Sequence, residues 1–457
     1  MTRTAALFVA CAAVACVDVP AVDVVVVDAA GEGEGEGEGD VDVGEGEGEG
    51  DVGEGEAEGE GEGEGDVDDG PARYHTDRHS PLTADVAARL QALRAAHGEL
   101  ADDVFAKIGA SNTVNTGFLT CFDGGSVDLG AHGALDDTRA FFAGGDAAGT
   151  SPYDRVSAAA TVGWSAFHPL RAGDDGRAPV DVEVDALAPA YAVVMFGTND
   201  IQQRNITRYA DDLFALTDRL LARGVIPLLS SVPPRDDDAA ADVEVPRYAL
   251  VARMVAERQQ IPFMDLNQAL RPLAGHGLGG DGIHMNVDPR GGCRFDDGGL
   301  GFGFNQRNLL TLTALDRVRA AVDAGAVDDA VLPPRSGAWT QADPMRVDVL
   351  PFVAFGDTAT STSSLTDSYA CAPGADESGP EQFMAWRADA ASRLHVLVFD
   401  QGDVDVDVHV VVAGACVDRD DKEVVVDVDA GADVSVVFDT YGGAAQAGAY
   451  QVIVYRE

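Results

Sequence analysis

The chain has 457 residues, of which 78 are acidic and 31 basic, giving a formal net charge of −47. That length is more than one hydrophobic core serves and allows two or three domains. The scarcity of cations argues against a nucleic-acid partner, because binding phosphates needs a basic footprint. No apolar run reaches the roughly 20 residues that a membrane-spanning helix requires.

The first residues read as an export signal. Arg3 supplies a positive start, residues 5–15 a short apolar core, and Ala13-Val14-Ala15 places small side chains ahead of Cys16. This resembles a bacterial lipobox, so residues 1–16 are expected to be a signal peptide and Cys16 a lipidation site. The usual Leu three places before the cysteine is missing, and Cys11 offers a competing site. Cleavage without an anchor is the alternative. The expected location is secreted or on the cell surface, with a membrane attachment only through that lipid.

Residues 17–76 are expected to be an acidic tether. Between residues 31 and 70 there are 19 Asp and Glu and no Lys or Arg, alternating largely with Gly. Such a segment has neither apolar surface to bury nor a restricted backbone. A coil of about 50 Gly-rich residues spans roughly 40 Å, and like-charge repulsion extends it.

From residue 77 to 325 the pattern becomes α/β. A helix is predicted over 82–100, with Val86, Leu90 and Leu93 on one side. Apolar runs at 104–108, 191–196, 225–229 and 261–266 alternate with helical stretches, the clearest at 209–223 and 248–258. Near-continuous apolar strands between helices imply a parallel sheet covered on both faces. Sites in such sheets lie beyond the carboxyl ends of the strands.

A linker follows over 326–345, and residues 346–457 carry alternating strands at 394–399, 404–412, 423–428, 434–438 and 450–455, a small all-β sandwich pattern. Cys11 and Cys16 fall in the signal, which leaves four cysteines. Domain membership pairs Cys121 with Cys293 and Cys371 with Cys416, as an oxidising compartment permits. The absence of CxxC spacing speaks against zinc. The acids Asp403, Asp405 and Asp407 read as the wet face of an edge strand, with a calcium site as the alternative. No cofactor or metal is expected, and the oligomeric state is expected to be a monomer.

Three stretches of the α/β part carry chemistry. Lys107-Ile-Gly-Ala-Ser111 and Met195-Phe-Gly-Thr-Asn199-Asp200 each follow an apolar run, and Asp281-Gly-Ile-His284 sits in a Gly-rich loop. Each alone has a structural reading: Ser111 as a helix cap, Asn199-Asp200 as a turn with side-chain hydrogen bonds, Asp281-Gly as a common turn dipeptide. Together, and in that order, they resemble the SGNH or GDSL hydrolase family, over about residues 77–324.

The resemblance implies a three-layer, flavodoxin-like parallel sheet and a serine esterase. Ser111 would be the nucleophile, His284 the base and Asp281 its orienting acid. The oxyanion donors would be the Ser111 N–H, the Gly163 N–H and the Asn199 amide, with Gly163 in Thr161-Val-Gly-Trp able to be a packing glycine instead. The family's Gly-Asp-Ser reads Gly109-Ala110-Ser111 here. His132 is a rival base outside a DxxH context, and Arg235 either meets a substrate oxygen or pairs with Asp236 to Asp238. The sandwich resembles the bacterial prepeptidase C-terminal type of domain. The expected substrate is an acyl ester, acetyl by family habit, of carbohydrate or a small molecule. The other readings are a non-catalytic carbohydrate-binding or adhesion protein on a degenerate scaffold and a lipase or phospholipase.

Overall fold

In the computed structural model of the chain, residues 72–74, 77–124, 126–328 and 332–457 are described. The expected signal peptide, Cys16, and the tether as far as residue 71 lie outside them. The elements of the α/β part run α1 (Ala84–Ala96), β1 (Ala101–Gly109), α2 (Ser111–Val114), α3 (Asp136–Ala143), α4 (Pro179–Leu187), β2 (Pro189–Met195), α5 (Asp200–Gln203), α6 (Ile206–Leu221), β3 (Ile226–Ser230), α7 (Ala239–Gln259), β4 (Phe263–Met264), α8 (Leu266–Leu270) and α9 (Gly303–Ala324).

The four strands pair in parallel in the order β1-β2-β3-β4. Their side chains alternate between two cores, which is why the strands are apolar nearly throughout. Ala106, Ile108, Val194 and Leu229 pack toward Val184 of α4, Leu213 of α6 and Val251 of α7. Phe105, Tyr191, Val193 and Leu228 pack toward Leu90 of α1 and Leu315 of α9. The result is a sheet between two helical layers.

A rudimentary neighbour lies on the free side of β1. Gly109 bridges in parallel to Ala160, its N–H donating to Ala159 O and its carbonyl accepting from Thr161 N–H, both at 3.2 Å. After β1 the chain therefore moves outward to residues 159–161 and then crosses back to β2. The crevice at such a reversal, beyond the strand ends, is where open α/β sheets place ligands.

Among the element boundaries that differ from the sequence expectation, two have a capping residue as their cause. Helix α7 begins nine residues earlier than its clearest apolar stretch, because Asp238 caps it, accepting from the Ala240 N–H at 2.9 Å. Pro246 sits inside it. Strand β4 is only two residues long, since Asp265 already caps α8 by accepting from the Gln268 N–H.

The C-terminal part comprises β5 (Met345–Arg346), β6 (Phe352–Asp357), β7 (Glu381–Arg387), β8 (Ser392–Asp400), β9 (Val406–Val412), β10 (Ala415–Asp420), β11 (Glu423–Val428), β12 (Asp433–Thr440) and β13 (Ala449–Arg456). They form sheets β10-β9-β12-β7-β5 and β11-β8-β13-β6, with Met384, Val396, Val408, Val436 and Val452 in the core between. Strands β5, β6, β7 and β10 were not legible in the alternation pattern. The acidic stripe needs correction: β9 lies between β10 and β12, and Asp407 is 1% exposed. The connection from β6 to β7 covers that face, and the Cys371–Cys416 disulfide ties it to β10. Only Asp403 is fully wet.

The sandwich packs on the α7 side. Val353, Leu397, Phe399 and Ile453 share one core with that helix. Arg253 donates to Pro351 O at 3.1 Å, Arg335 pairs with buried Glu257, and Arg73 donates to Asp348 at 2.7 Å.

Candidate active site

The turn that carries Ser111 is built by close approach. A Cβ on Gly109 would stand 2.3 Å from Thr113 Oγ1 and 2.8 Å from Met195 O, so only glycine lets β1 end against both β2 and the turn of α2. Ala110 is extended, and its carbonyl accepts from the Thr113 and Val114 N–H groups at 2.8 and 3.0 Å. The helix thus starts without any side-chain cap, at a residue that is 6% exposed. A carboxylate here would be withdrawn from water; alanine serves the backbone geometry and leaves Ser111 as the first helical residue.

Two further side chains hold that turn. Arg307 of α9 is buried, donates to Asn112 O at 2.7 Å and to Thr113 Oγ1 at 3.0 Å, and lies 3.6 Å over the ring of Phe118. Burial pushes its guanidinium down to about 9. Asn112 accepts from the Met285 N–H at 3.2 Å, linking the turn to the loop of the histidine.

On that loop the His284 carbonyl accepts from the Gly279 N–H at 2.7 Å. Asp281 Oδ1 accepts from the N–H groups of Ile283 and His284 at 3.1 and 3.0 Å, which points Oδ2 at the imidazole. His284 Nδ1 is 2.6 Å from Asp281 Oδ2, and Nε2 is 2.9 Å from Ser111 Oγ. The three residues form one hydrogen-bonded series. The hydrogen bonds from the His284 side chain and the two backbone amides hold the Asp281 carboxyl down at about 2. It is therefore ionised throughout the neutral range and fixes the tautomer in which Nδ1–H donates to Asp281 and Nε2 accepts from the serine hydroxyl. The side chains of His284 and Asp281 are 38% and 51% exposed, so the series opens directly to solvent.

Asn199 donates from Nδ2 to Trp164 O at 2.7 Å, which brings the amide against the segment after Gly163. Gly163 has φ +81, and a Cβ there would meet no atom within 4 Å. The left-handed backbone, not crowding, asks for glycine at this position. Asp200 joins the two loops: its Oδ1 accepts from Ala166 N–H and its Oδ2 from Gly197 N–H, both at 2.8 Å. Burial raises its carboxyl to about 6.

Of the rival residues, His132 packs edge-on against Phe295. Arg235 forms a fork onto Asp237 at 2.6 and 2.8 Å and donates to Thr198 O at 2.7 Å, buttressing the Asn199 loop. A disulfide joins Cys121, shortly after the Ser111 turn, to Cys293, shortly after His284. Sequence reasoning missed Asn112, Asp200 and Arg307. Asp200 was visible only as half of an Asx-type turn, and Arg307 carried no signal, since a lone arginine in an amphipathic helix reads as surface.

Residues 123–288 match the model of the GDSL-like Lipase/Acylhydrolase family. Gly163, Asn199, Asp281 and His284 fall inside that span, and Ser111 stands just before it. The protein is a serine hydrolase acting on ester bonds. The matched residues lie in its α/β part, and the reading as a non-catalytic scaffold is set aside.

Solved structures with similarity include a GDSL-like lipase from Bacteroides thetaiotaomicron (16% identity, covering 50% of this chain and 98% of that one, TM-score 0.30). Others are a catalytic mutant of an acetylxylan esterase from Geobacillus stearothermophilus (15%, 46% and 93%, TM-score 0.30) and LAE5, an alpha/beta hydrolase enzyme from the metagenome of Lake Arreo, Spain (20%, 49% and 98%, TM-score 0.31). No curated protein matches the chain.

Proposed function

We propose that the protein removes short acyl groups, acetyl above all, from carbohydrate or small-molecule esters through an acyl enzyme on Ser111, with His284 as base and Asp281 as its orienting acid. The observation that carries this reading is the unbroken series from Ser111 Oγ through His284 to Asp281 at 2.9 and 2.6 Å. A serine hydroxyl becomes an effective nucleophile when a base accepts its proton during attack. Ser111 Oγ attacks the ester carbonyl carbon, and its proton passes to His284 Nε2. The imidazolium formed is stabilised by ionised Asp281.

The carbonyl oxygen gains negative charge and is met by the Asn199 amide and by the N–H groups of Ser111 and Gly163. Such donors act most strongly on the charge that develops in the transition state. Collapse expels the alkoxide, which takes the proton from Nε2 and leaves as an alcohol. Water then attacks the acyl carbon, giving its proton to the same nitrogen, and the carboxylic acid departs as Ser111 recovers its hydrogen.

The preference for a short acyl group on a bulky alcohol rests on the open setting of the base and its acid, which lets an ester carried on a larger molecule approach. A signal peptide over residues 1–16, with Cys16 as a lipid-bearing residue and the acidic segment as a spacer, would place this activity outside the cell. A series of p-nitrophenyl esters of rising chain length, run beside acetylated polysaccharides, tests the proposal. Highest kcat/KM is expected on acetyl or propionyl esters with acetate released from polysaccharide. A preference for long-chain esters would move the protein to the lipase reading.

A further inference from the structure

The outer face of the five-stranded sheet in the sandwich carries carboxylates withdrawn from water. Glu381 of β7 is the cross-strand partner of Asp439 of β12, and Asp439 is the partner of Asp407 of β9. Glu377, on the connection between β6 and β7, reaches the same space. All four are at most 1% exposed. Like charges directly opposite one another weaken a strand pair, and a buried carboxylate needs a cation or donors.

Glu381 Oε1 accepts from the Leu365 N–H at 2.6 Å and the Ser363 hydroxyl at 3.2 Å, whereas the other three have few partners. Arg419 Nε donates to Glu377 Oε1 at 3.3 Å, and its terminal nitrogen pairs with Asp407. The Tyr369 hydroxyl lies 3.1 Å from Glu381 Oε2 and 2.9 Å from Asp439 Oδ2. Among the described residues Glu377 Oε2 and Asp439 Oδ1 have no hydrogen-bond partner.

His409 is the independent observation. It is fully buried, its ring stacks on Tyr369 with centroids 3.8 Å apart, and neither ring nitrogen has a hydrogen-bond partner among the described residues. Its Nε2 stands 3.4 Å from Glu377 Oε1 without forming a hydrogen bond to it. Two ligands each about 2.1 Å from one tetrahedral ion are themselves about 3.4 Å apart. Ligand atoms of Glu377, His409 and Asp439 all lie within 4.8 Å of one another.

We propose that Glu377, His409 and Asp439 bind a divalent transition-metal ion, Zn2+ by preference, inside the sandwich. One imidazole with two carboxylates suits zinc, whereas calcium takes six to eight oxygens. Tyr369 on the second oxygen of Asp439 and Arg419 on Glu377 orient the ligating carboxylates, as outer partners do in metal sites. The ion supplies positive charge where the fold has too little, and it pins the β6–β7 connection to β9 and β12. Its role is structural and separate from ester hydrolysis. The Sγ atoms of Cys371 and Cys416 also lie close to His409, but they are joined as a disulfide and offer no thiolate.

The test uses the full chain, stripped with chelator and titrated with Zn2+ against a chromogenic competitor, then with Co2+. One tight equivalent per chain is expected, along with a visible d–d spectrum without sulfur-to-cobalt charge transfer and a raised thermal unfolding temperature. His409→Gln and Glu377→Gln should each abolish the tight equivalent, and Glu377→Gln should leave ester turnover unchanged. Absence of a tight equivalent in the unaltered chain overturns the proposal, and this measurement stands even where a variant folds poorly. Retention in both variants, thiolate charge-transfer bands, or displacement of Zn2+ by equimolar Ca2+ would each overturn the assignment too.

Discussion

The amide of Met285 donates to the side chain of Asn112 at 3.2 Å, so the residue after His284 is tied to the residue after Ser111 across 173 positions of sequence. Arg307 then grips the Asn112 carbonyl from α9. The approach of His284 to Ser111 is therefore set by neighbours that never meet substrate. Small displacements of reacting groups lower rates steeply, on the order of 100-fold for about 1 Å. Asn112→Ala should lower kcat by roughly 10- to 100-fold with KM little changed, while fluorophosphonate still labels Ser111. An unchanged kcat would show that the loops hold their register without this bond.

Ser111→Ala removes one partly buried hydroxyl and no packing atom of either core. Turnover of p-nitrophenyl acetate should vanish, and the thermal unfolding curve should scarcely move. Equal activity in this variant, or fluorophosphonate labelling at a different serine, would transfer the nucleophile's role elsewhere.

How much of this was legible beforehand follows from what each signal depends on. The sheet was readable because strands buried on both faces must be apolar nearly throughout, and the β1 and β2 runs at 104–108 and 191–196 are, Lys107 alone excepted, its buried ammonium donating to Tyr153 O at 2.7 Å. Ser111, Asn199, Asp281 and His284 stood out as candidates because the chemistry proposed for them needs particular side chains beside strand ends or in a turn. Supporting residues were not: Asp200 acts by satisfying two backbone N–H groups on different loops, and Arg307 by reaching a carbonyl nearly 200 residues away, neither of which leaves a local pattern. The sandwich hid more. Asp407 alternates with valines as a wet residue would, yet a covering connection buries it, and coverage by a distant loop has no periodicity.

The Cys121–Cys293 bridge closes 172 residues and joins the chain shortly after Ser111 to the chain shortly after His284. In the chain-entropy model a loop of this length contributes on the order of 5 kcal/mol. The double variant Cys121→Ser, Cys293→Ser should unfold at clearly lower urea concentration and lose kcat in parallel, measured by fluorescence and ester turnover. A stable variant with reduced kcat would assign the bridge to positioning alone, and one with neither change would make it dispensable.

Asp281 is held down at about 2 by hydrogen bonds. With a folded value below the unfolded one, its contribution is present above about pH 4 and lost as pH falls toward 2. Because half of the side chain is exposed, the effect on stability should be small, and the effect on rate large. Asp281→Asn should cut kcat by roughly 1,000- to 10,000-fold at neutral pH, as in other triads where the wrong tautomer results. Carboxyl NMR of the unaltered protein should place the Asp281 midpoint near 2. A midpoint near 4 would mean that the bonds to His284 and the loop amides are not kept in solution.

Asp200 has the opposite sign. Burial raises its carboxyl to about 6 although two backbone N–H groups favour the charged form. The folded state therefore binds more protons than the unfolded one between about pH 4 and pH 6, and the stability from this group, full below pH 4, is lost as pH rises through 6. Asp200→Asn cannot titrate, so its urea midpoint should lack that fall while the unaltered chain shows it. Asparagine also replaces one acceptor with a donor facing a donor, at either Ala166 or Gly197. The loops carrying Gly163 and Asn199 should then separate slightly, and kcat should drop by roughly the factor of 100 to 1,000 seen when an oxyanion donor is lost. Parallel pH profiles of the urea midpoint in the two proteins would show that the Asp200 carboxyl does not titrate in this window, and an unchanged kcat would release it from any part in aligning the oxyanion donors.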